Sequence, residues 1–186
     1  LTTRVSPSIN SAAKLPKISE KVIDLGCGPG HLLKKLRNNP FNIGVDFNLL
    51  NLYLAKKYIS SQSGYIYADL NQPLPINKKI FDIAVINDTF HYVKAKGLLT
   101  KEASRILKPK GLIFLGHVHN SQAMSPPPSE YPTTLQKCRE LFKGFSLTSY
   151  KEGGKYLVPT AVEKSNRLTF LNLLFSRGAP IPKAFR

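Results

Sequence analysis

The chain has 186 residues, 42% of them hydrophobic, which suits one domain with a single buried core. Its 27 lysines and arginines against 11 acids give a formal charge of +16, which attracts phosphate polymers or anionic membranes, although the lysines are scattered and form no block of five. The two cysteines form no CxxC pair, so a secreted-type disulfide framework is excluded, and no apolar run approaches a membrane-spanning length.

The start of the chain differs from the rest in charge. Glu20 is the first acid, and it follows several basic residues and serines. We therefore interpret residues 1–20 as an amino-terminal extension or the remnant of a cap, and residues 21–186 as one domain. Such a start is compatible with an organellar transit remnant, but a disordered or truncated terminus is the preferred interpretation. With reduced cysteines, the predicted location is cytoplasmic, and organellar import is the alternative.

Short β-type runs alternate with helical patterns from residue 21 onward, which is typical of a parallel sheet. The predicted strands are Lys21–Asp24, Asn42–Asp46, Gly64–Ala68, Phe81–Asn87 and Gly111–Gly116. The predicted helices between them are His31–Leu36, Leu49–Tyr58 and Leu98–Leu107, the last closed by Lys108-Pro109-Lys110-Gly111. Runs without alternation, such as Ile83–Ile86 and Leu112–Leu115, indicate central strands that are covered on both faces.

The last third of the chain differs in residue composition and in its predicted elements. Residues 120–132 are rich in proline and predict an exposed loop, and a helix is expected over Thr133–Lys143. Phe145–Tyr150 and Arg167–Phe175 are predicted to close the sheet as an antiparallel pair. The predicted fold is α/β: a Rossmann-like, doubly wound, mostly parallel sheet of seven strands with an antiparallel edge strand, lacking part of the amino-terminal helices.

The strongest motif is the glycine-rich segment Asp24–Gly30, which directly follows a strand and precedes a helix. Glycines there permit a tight turn and a close backbone approach, and a helix start attracts the negative part of a ligand. The spacing is GxGxG rather than GxGxxG, and Pro29 removes an N–H that a pyrophosphate could use. The segment therefore favours a polar ligand other than a dinucleotide.

Four of the five aspartates follow or end successive strands: Asp24, Asp46, Asp69 and Asp88. Any single one could be a turn former or a helix cap. The ordered set instead indicates a site, because ligands of open α/β sheets bind at the carboxyl ends of the strands. Asp46 stands where a carboxylate accepts bonds from ribose hydroxyls, and Asp69 stands where one accepts from an adenine amino group. The set predicts adenosine recognition.

The segment Val22–Gly30 closely resembles motif I of class I S-adenosylmethionine-dependent methyltransferases. The resemblance continues through Gly44-Val45-Asp46, Ala68-Asp69-Leu70, Pro73-Leu74-Pro75, Phe81-Asp82-Ile83 and Arg105–Gly111, and is greatest for the methyltransferase type 11 group. It covers roughly residues 21–116. It implies S-adenosylmethionine as the cofactor and S-adenosylhomocysteine as the product.

The resemblance also implies roles for single residues. Asp24 would orient the methionine amino end, with the loop around it formed by Gly26, Cys27, Gly28 and Gly30. Asp46 would hold the ribose and Phe47 would border the adenine. Asp69 and Leu70 would bind the adenine edge, and Asn87 would contact the methionine moiety.

Methyl transfer needs positioning of the acceptor and exclusion of water more than a fixed catalytic residue. Where a general base is needed, His91 is the preferred candidate and Asp88 the second, although a packed histidine that only shapes the pocket is the alternative. His117 and His119 lack a third ligand at a suitable spacing, so no metal site is predicted. Asn87-Asp88-Thr89-Phe90 lacks the two central prolines of base-methylating enzymes, which favours a small or lipid-like acceptor.

The predicted function is thus S-adenosylmethionine-dependent methyl transfer to a small molecule. An RNA methyltransferase that uses the basic surface remains an alternative, as does a non-catalytic methyltransferase-like binding module. A nicotinamide-binding protein is disfavoured by the glycine spacing and by the position of Asp69.

Overall fold

The computed structural model describes residue 9, residues 20–39, 41–119 and 128–143, and the backbone of three strands between residues 147 and 174. Most of the predicted extension 1–20 and residues 120–127 of the predicted loop lie outside the described residues. The helices are α1 (His31–Lys35), α2 (Leu49–Leu54), α3 (Lys96–Ile106) and α4 (Leu135–Leu141). The strands are β1 (Val22–Leu25), β2 (Asn42–Asp46), β3 (Gly64–Tyr67), β4 (Phe81–Asn87), β5 (Leu107–His119), β6 (Leu147–Glu152), β7 (Tyr156–Val162) and β8 (Arg167–Leu174).

A sheet of eight described strands organises the chain in the order β3-β2-β1-β4-β5-β8-β6-β7. The first five in this order are all parallel, and helices connect β1 to β2, β2 to β3 and β4 to β5. This confirms the predicted doubly wound, mostly parallel architecture, and β7 is an antiparallel edge strand. The predicted count of seven strands is wrong, because the described residues form eight.

The predicted antiparallel pair at the end of the chain is also wrong. Strands β6 and β8 run parallel to each other, and the unpredicted β7 is antiparallel to both. Gly153-Gly154 between β6 and β7 is a hairpin signal that could have revealed the extra strand. Pro159 within β7 obscured it, since proline disfavours a strand assignment.

The centre of the sheet is apolar on both faces. All four residues of β1 are buried, as are Ile83–Ile86 in β4 and Ile113–Leu115 in β5. Helices from both faces add Leu32, Leu36, Leu99, Ala103 and Ile106 to the same core. The non-alternating runs were therefore correctly assigned to central strands.

The strand order fixes where a ligand can bind. From β1 the chain moves outward to β2 and β3, whereas β4 and β5 lie on the other side of β1. Because parallel crossovers are right-handed, this reversal sends α1 and α2 to one face and α3 to the other. A crevice opens where the carboxyl ends of β1 and β4 diverge. Among the described residues, no helix combines the length and hydrophobicity of a membrane span.

Candidate active site

The loop after β1 has a backbone that glycine alone adopts easily. Gly26, Gly28 and Gly30 have φ angles of 83°, 51° and 82°, in the left-handed region. A Cβ on Gly26 would collide with the side chain of Thr89. A Cβ on Gly28 would meet no protein atom within 4 Å. The loop is therefore packed at Gly26 and open at Gly28, where a ligand can approach the backbone.

Hydrogen bonds fasten this loop to the end of β2. The amides of Gly26 and Cys27 donate to the Val45 carbonyl at 2.8 and 2.9 Å. The Gly28 amide donates to Oδ2 of Asp46, and the Asn48 amide donates to its Oδ1, both at 2.8 Å. The Asp46 carboxylate is thereby held in one orientation, and each oxygen keeps a further lone pair for a ligand hydroxyl.

A cavity of about 200 Å³ lies beside the loop at the β1–β4 crevice. Its lining residues are Ile9, Asp24, Gly26, Cys27, Gly28, Pro29, His31, Leu32, Asn87 and Asp88. The structure thus brings together the residues predicted for the methionine end of the cofactor. Sequence reasoning missed His31, although its place as the first residue of α1, directly after Gly30, could have indicated it.

The residues predicted for adenosine do not line this cavity. Phe47 is 68% exposed, and Asp69 is an exposed residue whose Oδ1 accepts from the amide and side chain of Asn71. Leu70 is buried. Phe47 follows β2, and Asp69 and Leu70 follow β3, outside the lining of this cavity.

Asp24 lies at the base of the site and is 3% exposed. Burial raises its pKa to about 7, and the neighbouring negative charge of Asp46 adds to the effect. A positively charged ligand group next to Asp24 would relieve both penalties. The same surroundings raise the pKa of the Cys27 thiol, chiefly through burial, so Cys27 is a neutral wall of the cavity and not a nucleophile.

Asn87 ends β4, lines the cavity and carries a buried polar atom. Its Oδ1 has no hydrogen-bond partner within the described part of the chain. This oxygen occupies the space that a Cβ on Gly116 of β5 would need. A buried acceptor without a donor is destabilising, by about 1–3 kcal/mol, and is explained most simply by a donor that a ligand supplies.

The two candidate bases are placed differently. Asp88 lines the cavity with a side chain that is 53% exposed, and its φ of 55° is left-handed. His91 is fully buried, is absent from the cavity lining, and has its Nε2 3.8 Å from Oδ1 of Asp88. The structure therefore puts Asp88 in reach of the cavity and His91 behind it.

Thr89 connects the two sides of the crevice, and sequence reasoning missed it. Its Oγ1 lies 3.2 Å from the carbonyl oxygen of Gly26 and 3.0 Å from that of Asn87. It is thus close to both the glycine loop and the end of β4. No sequence signal marks this contact, since 63 residues separate Thr89 from Gly26.

No group of three potential metal ligands comes together among the described side chains, a set that does not include those of His117 and His119.

The fold and the site together define a class of Rossmann-like proteins that bind a ligand at a glycine loop and an acidic strand end. A family model described as a methyltransferase domain matches residues 23–115, half of the 186-residue chain. The chain belongs to this family. The resemblance drawn from motif I is confirmed.

Three similar proteins show how far the likeness extends. A malonyl-[acyl-carrier protein] O-methyltransferase of Buchnera aphidicola is 32% identical over 52% of this chain and 39% of its own length. A demethylmenaquinone methyltransferase of Lactobacillus johnsonii is 33% identical over 59% of this chain and 48% of its own length. The YcgJ protein of Bacillus subtilis shares the fold, with a TM-score of 0.68 and 18% identity over 77% of this chain and 70% of that chain. The chain spans less than half the length of the two curated relatives.

Proposed function

We propose that the chain transfers a methyl group from S-adenosylmethionine to a small-molecule acceptor. The observation that carries the proposal is the cavity that Asp24 and Asn87 line together, because Asp24 is 3% exposed and the Oδ1 of Asn87 is buried without a partner among the described residues. A ligand with a positive charge and N–H donors suits both groups.

The residues present fit the methionine end of this cofactor. Asp24 would accept from its ammonium group, and the charge of that group would lower the pKa of Asp24. Asn87 would accept another hydrogen bond from the ligand. Because Gly28 has no side chain, the ligand can approach its backbone closely. Asp46 would hold the ribose hydroxyls with the lone pairs that its amide partners leave free.

When bound, S-adenosylmethionine supplies an electrophilic methyl carbon on a sulfonium ion. The protein's part is then to align an acceptor and to keep water away. Asp88 would accept a proton from an acceptor hydroxyl, since its carboxylate lines the cavity. His91 would act through Asp88, because the imidazole is buried 3.8 Å from that carboxylate.

The relatives favour a small acceptor over a nucleic acid. One is named for malonyl groups on a carrier protein and the other for a demethylated quinone. Both names describe a small or carrier-bound acceptor, and neither names a nucleic acid. We therefore propose a small molecule, free or attached to a carrier.

Calorimetric titration with S-adenosylhomocysteine tests the cofactor site. We expect saturable binding that weakens about 10- to 100-fold in Asp46→Asn, because hydrogen bonds to a charged group contribute about 1.5–3 kcal/mol. Glu140→Gln is the matched control, since Glu140 is an exposed carboxylate on α4 that pairs with Lys137. Absence of binding by the folded chain, or equal loss in both variants, would contradict the proposal.

A methyl-transfer assay tests the acceptor. Chain and labelled S-adenosylmethionine are incubated with a malonyl thioester, a demethylated quinol or a short RNA. We expect label on one of the first two and a loss of turnover in Asp88→Asn. Label on RNA alone would replace the small-molecule proposal with the RNA alternative, and no label on any of the three would contradict it.

A further inference from the structure

The outward side of α2 carries large apolar groups that the described residues leave exposed. Leu49, Leu50, Tyr53 and Tyr58 are 65%, 62%, 51% and 63% exposed. Helix α2 continues as one wide turn through Ile59, and together with Lys57 these four side chains form what we call the α2 ridge. Its opposite side buries Leu52 and Ala55. The segment is therefore amphipathic, but its solvent side is apolar and basic rather than polar.

The surroundings of the ridge are basic. Residues 25–68 contain Lys34, Lys35, Arg37, Lys56 and Lys57. Asp46 is the single acid in that segment; it is 7% exposed, and both of its carboxylate oxygens accept backbone hydrogen bonds. No exposed acid lies between residues 25 and 68, although the exposed Asp69 directly follows this segment.

Helices α1 and α2 present these charges on the same face of the sheet. Leu33 of α1 and Leu52 of α2 belong to one buried cluster together with Cys27. Lys34 and Lys35 follow Leu33 in the last turn of α1 and are exposed. The lysines of α1 therefore lie on the same face of the sheet as the α2 ridge.

Lys57 organises the aromatic part of the ridge. Its Nζ donates to the Tyr53 hydroxyl at 2.7 Å and lies 5.2 Å from the ring centroids of both Tyr53 and Tyr58. The two rings meet edge to face, with centroids 6.3 Å apart. Tyrosines and lysines with an apolar body and a polar end suit the boundary between lipid headgroups and acyl chains.

We propose that the α2 ridge docks on the surface of an anionic lipid bilayer. The two leucines enter the acyl boundary, the tyrosines lie at the headgroups, and the lysines of α1 contact lipid phosphates. Exposed leucines distinguish this surface from one that binds nucleic acid, where stacking and phosphate contacts are made by aromatic and basic groups. A second copy is disfavoured, since a symmetric pairing would bring like-charged lysines together.

Docking would also orient the edge of the sheet at which the cofactor is proposed to bind. Asn48 caps α2 through hydrogen bonds from Leu50 and Asn51, and its own amide donates to Asp46. The leucines of the ridge thus begin three residues after the carboxylate at the end of β2. A bilayer held by the ridge would lie near that edge of the sheet. The docking does not depend on which acceptor is methylated.

Cosedimentation with vesicles tests the inference. The chain is spun with vesicles of equimolar phosphatidylglycerol and phosphatidylcholine, and with vesicles of phosphatidylcholine alone. We expect binding to the anionic vesicles only. Leu49→Gln with Leu50→Gln, and separately Lys34→Glu with Lys35→Glu, should each weaken it about tenfold or more, given about 1 kcal/mol per lysine and more per buried leucine.

The control pair Lys78→Glu with Lys101→Glu changes the net charge equally, at exposed positions outside the ridge. Retained binding by this control supports a specific surface, whereas equal loss would show a general charge effect and overturn the proposal. No binding by the parent chain, or a self-association that the leucine variant abolishes without any effect on vesicles, would also overturn it. Circular dichroism confirms that each variant folds. Titration with S-adenosylhomocysteine shows separately whether the cofactor site persists.

Discussion

At the scale of single residues, a substitution of Asn87 should change the free energy of unfolding and the ligand affinity in opposite directions. Its Oδ1 is buried and has no partner among the described groups, so it destabilises the ligand-free protein. We expect Asn87→Leu, which keeps the volume, to raise the free energy of unfolding by about 1 kcal/mol and to weaken S-adenosylhomocysteine binding about tenfold. Denaturant unfolding and calorimetry measure the two effects. Loss of both stability and binding would show that Asn87 has only a structural role.

Asp24 predicts how cofactor binding depends on pH. Its folded pKa of about 7 exceeds the usual aspartate pKa of 3.8, so the folded state holds the proton more tightly and stability falls as pH rises between these values. A cationic ligand prefers the ionised carboxylate, so affinity should rise as pH increases through 7, with proton release on binding.

Titrations on either side of pH 7, in buffers of different ionisation enthalpy, measure that release. Asp24→Asn should abolish most of the pH dependence and stabilise the ligand-free protein at alkaline pH. A dependence that persists unchanged in Asp24→Asn would assign the titration to another group and contradict this prediction.

Sequence reasoning located Asp24 and Asn87 because both end central strands, where topology alone brings side chains together. It could not anticipate Thr89 against Gly26, or the burial of His91 behind Asp88, because these depend on a tertiary packing that no local pattern encodes. The roles proposed for Asp46, Phe47, Asp69 and Leu70 stay predictions.

At the scale of elements, an ion pair on α3 holds the loop that carries Pro73-Leu74-Pro75. Glu102 accepts from the Leu74 amide at 2.7 Å and from Nε and Nη2 of Arg105 at 2.7 and 2.6 Å. Arg105 also donates to the carbonyls of Leu74 and Ile76. Arg105 lowers the pKa of Glu102, so this stabilisation is present at neutral pH and is lost as pH falls through the carboxylate range.

We expect Arg105→Met to lower the free energy of unfolding by about 2–3 kcal/mol, because it leaves Glu102 and two carbonyls without their donor. Arg37→Met, on an exposed position, should change it by less than about 0.5 kcal/mol. Urea denaturation at neutral pH measures both. Similar values for the two variants would show that the network is energetically unimportant.

Element boundaries were predictable where burial is strong and less so elsewhere. Strands β2 and β4 begin and end at the predicted residues, because their apolar runs are bounded by polar ones. The Lys108–Gly111 segment, predicted to close α3, lies within β5, where the pairing with β4 shifts register and Lys110 has a φ of 65°. Helix α2 ends four residues early, at Leu54, and continues as a wider turn. The hydrophobic periodicity of a sequence does not indicate such local irregularities.

At the scale of the whole molecule, the parallel centre of the sheet follows from the alternation of strands and helices and from the handedness of crossovers. The three strands after α4 were harder to predict, since only three and four residues separate them and their pairing depends on hairpin register rather than on a crossover. The same global view explains why Asp24 and Asn87 line one cavity, because β1 and β4 are neighbours at the reversal of strand order.

Ligand binding should therefore stabilise the domain as a unit. Because a ligand that binds only the folded state adds RT ln(1 + [L]/Kd), S-adenosylhomocysteine at a hundredfold excess over its Kd should add about 2.7 kcal/mol. For a chain of this size, each kcal/mol raises Tm by about 2–4 °C, so we expect a shift of roughly 5–10 °C by calorimetry. NAD at the same concentration should give no shift, because Pro29 and the GxGxG spacing leave no pyrophosphate cradle. An equal shift with NAD would mean that the glycine loop recognises the adenosine alone, and the contacts proposed for Asp24 and Asn87 would then be wrong.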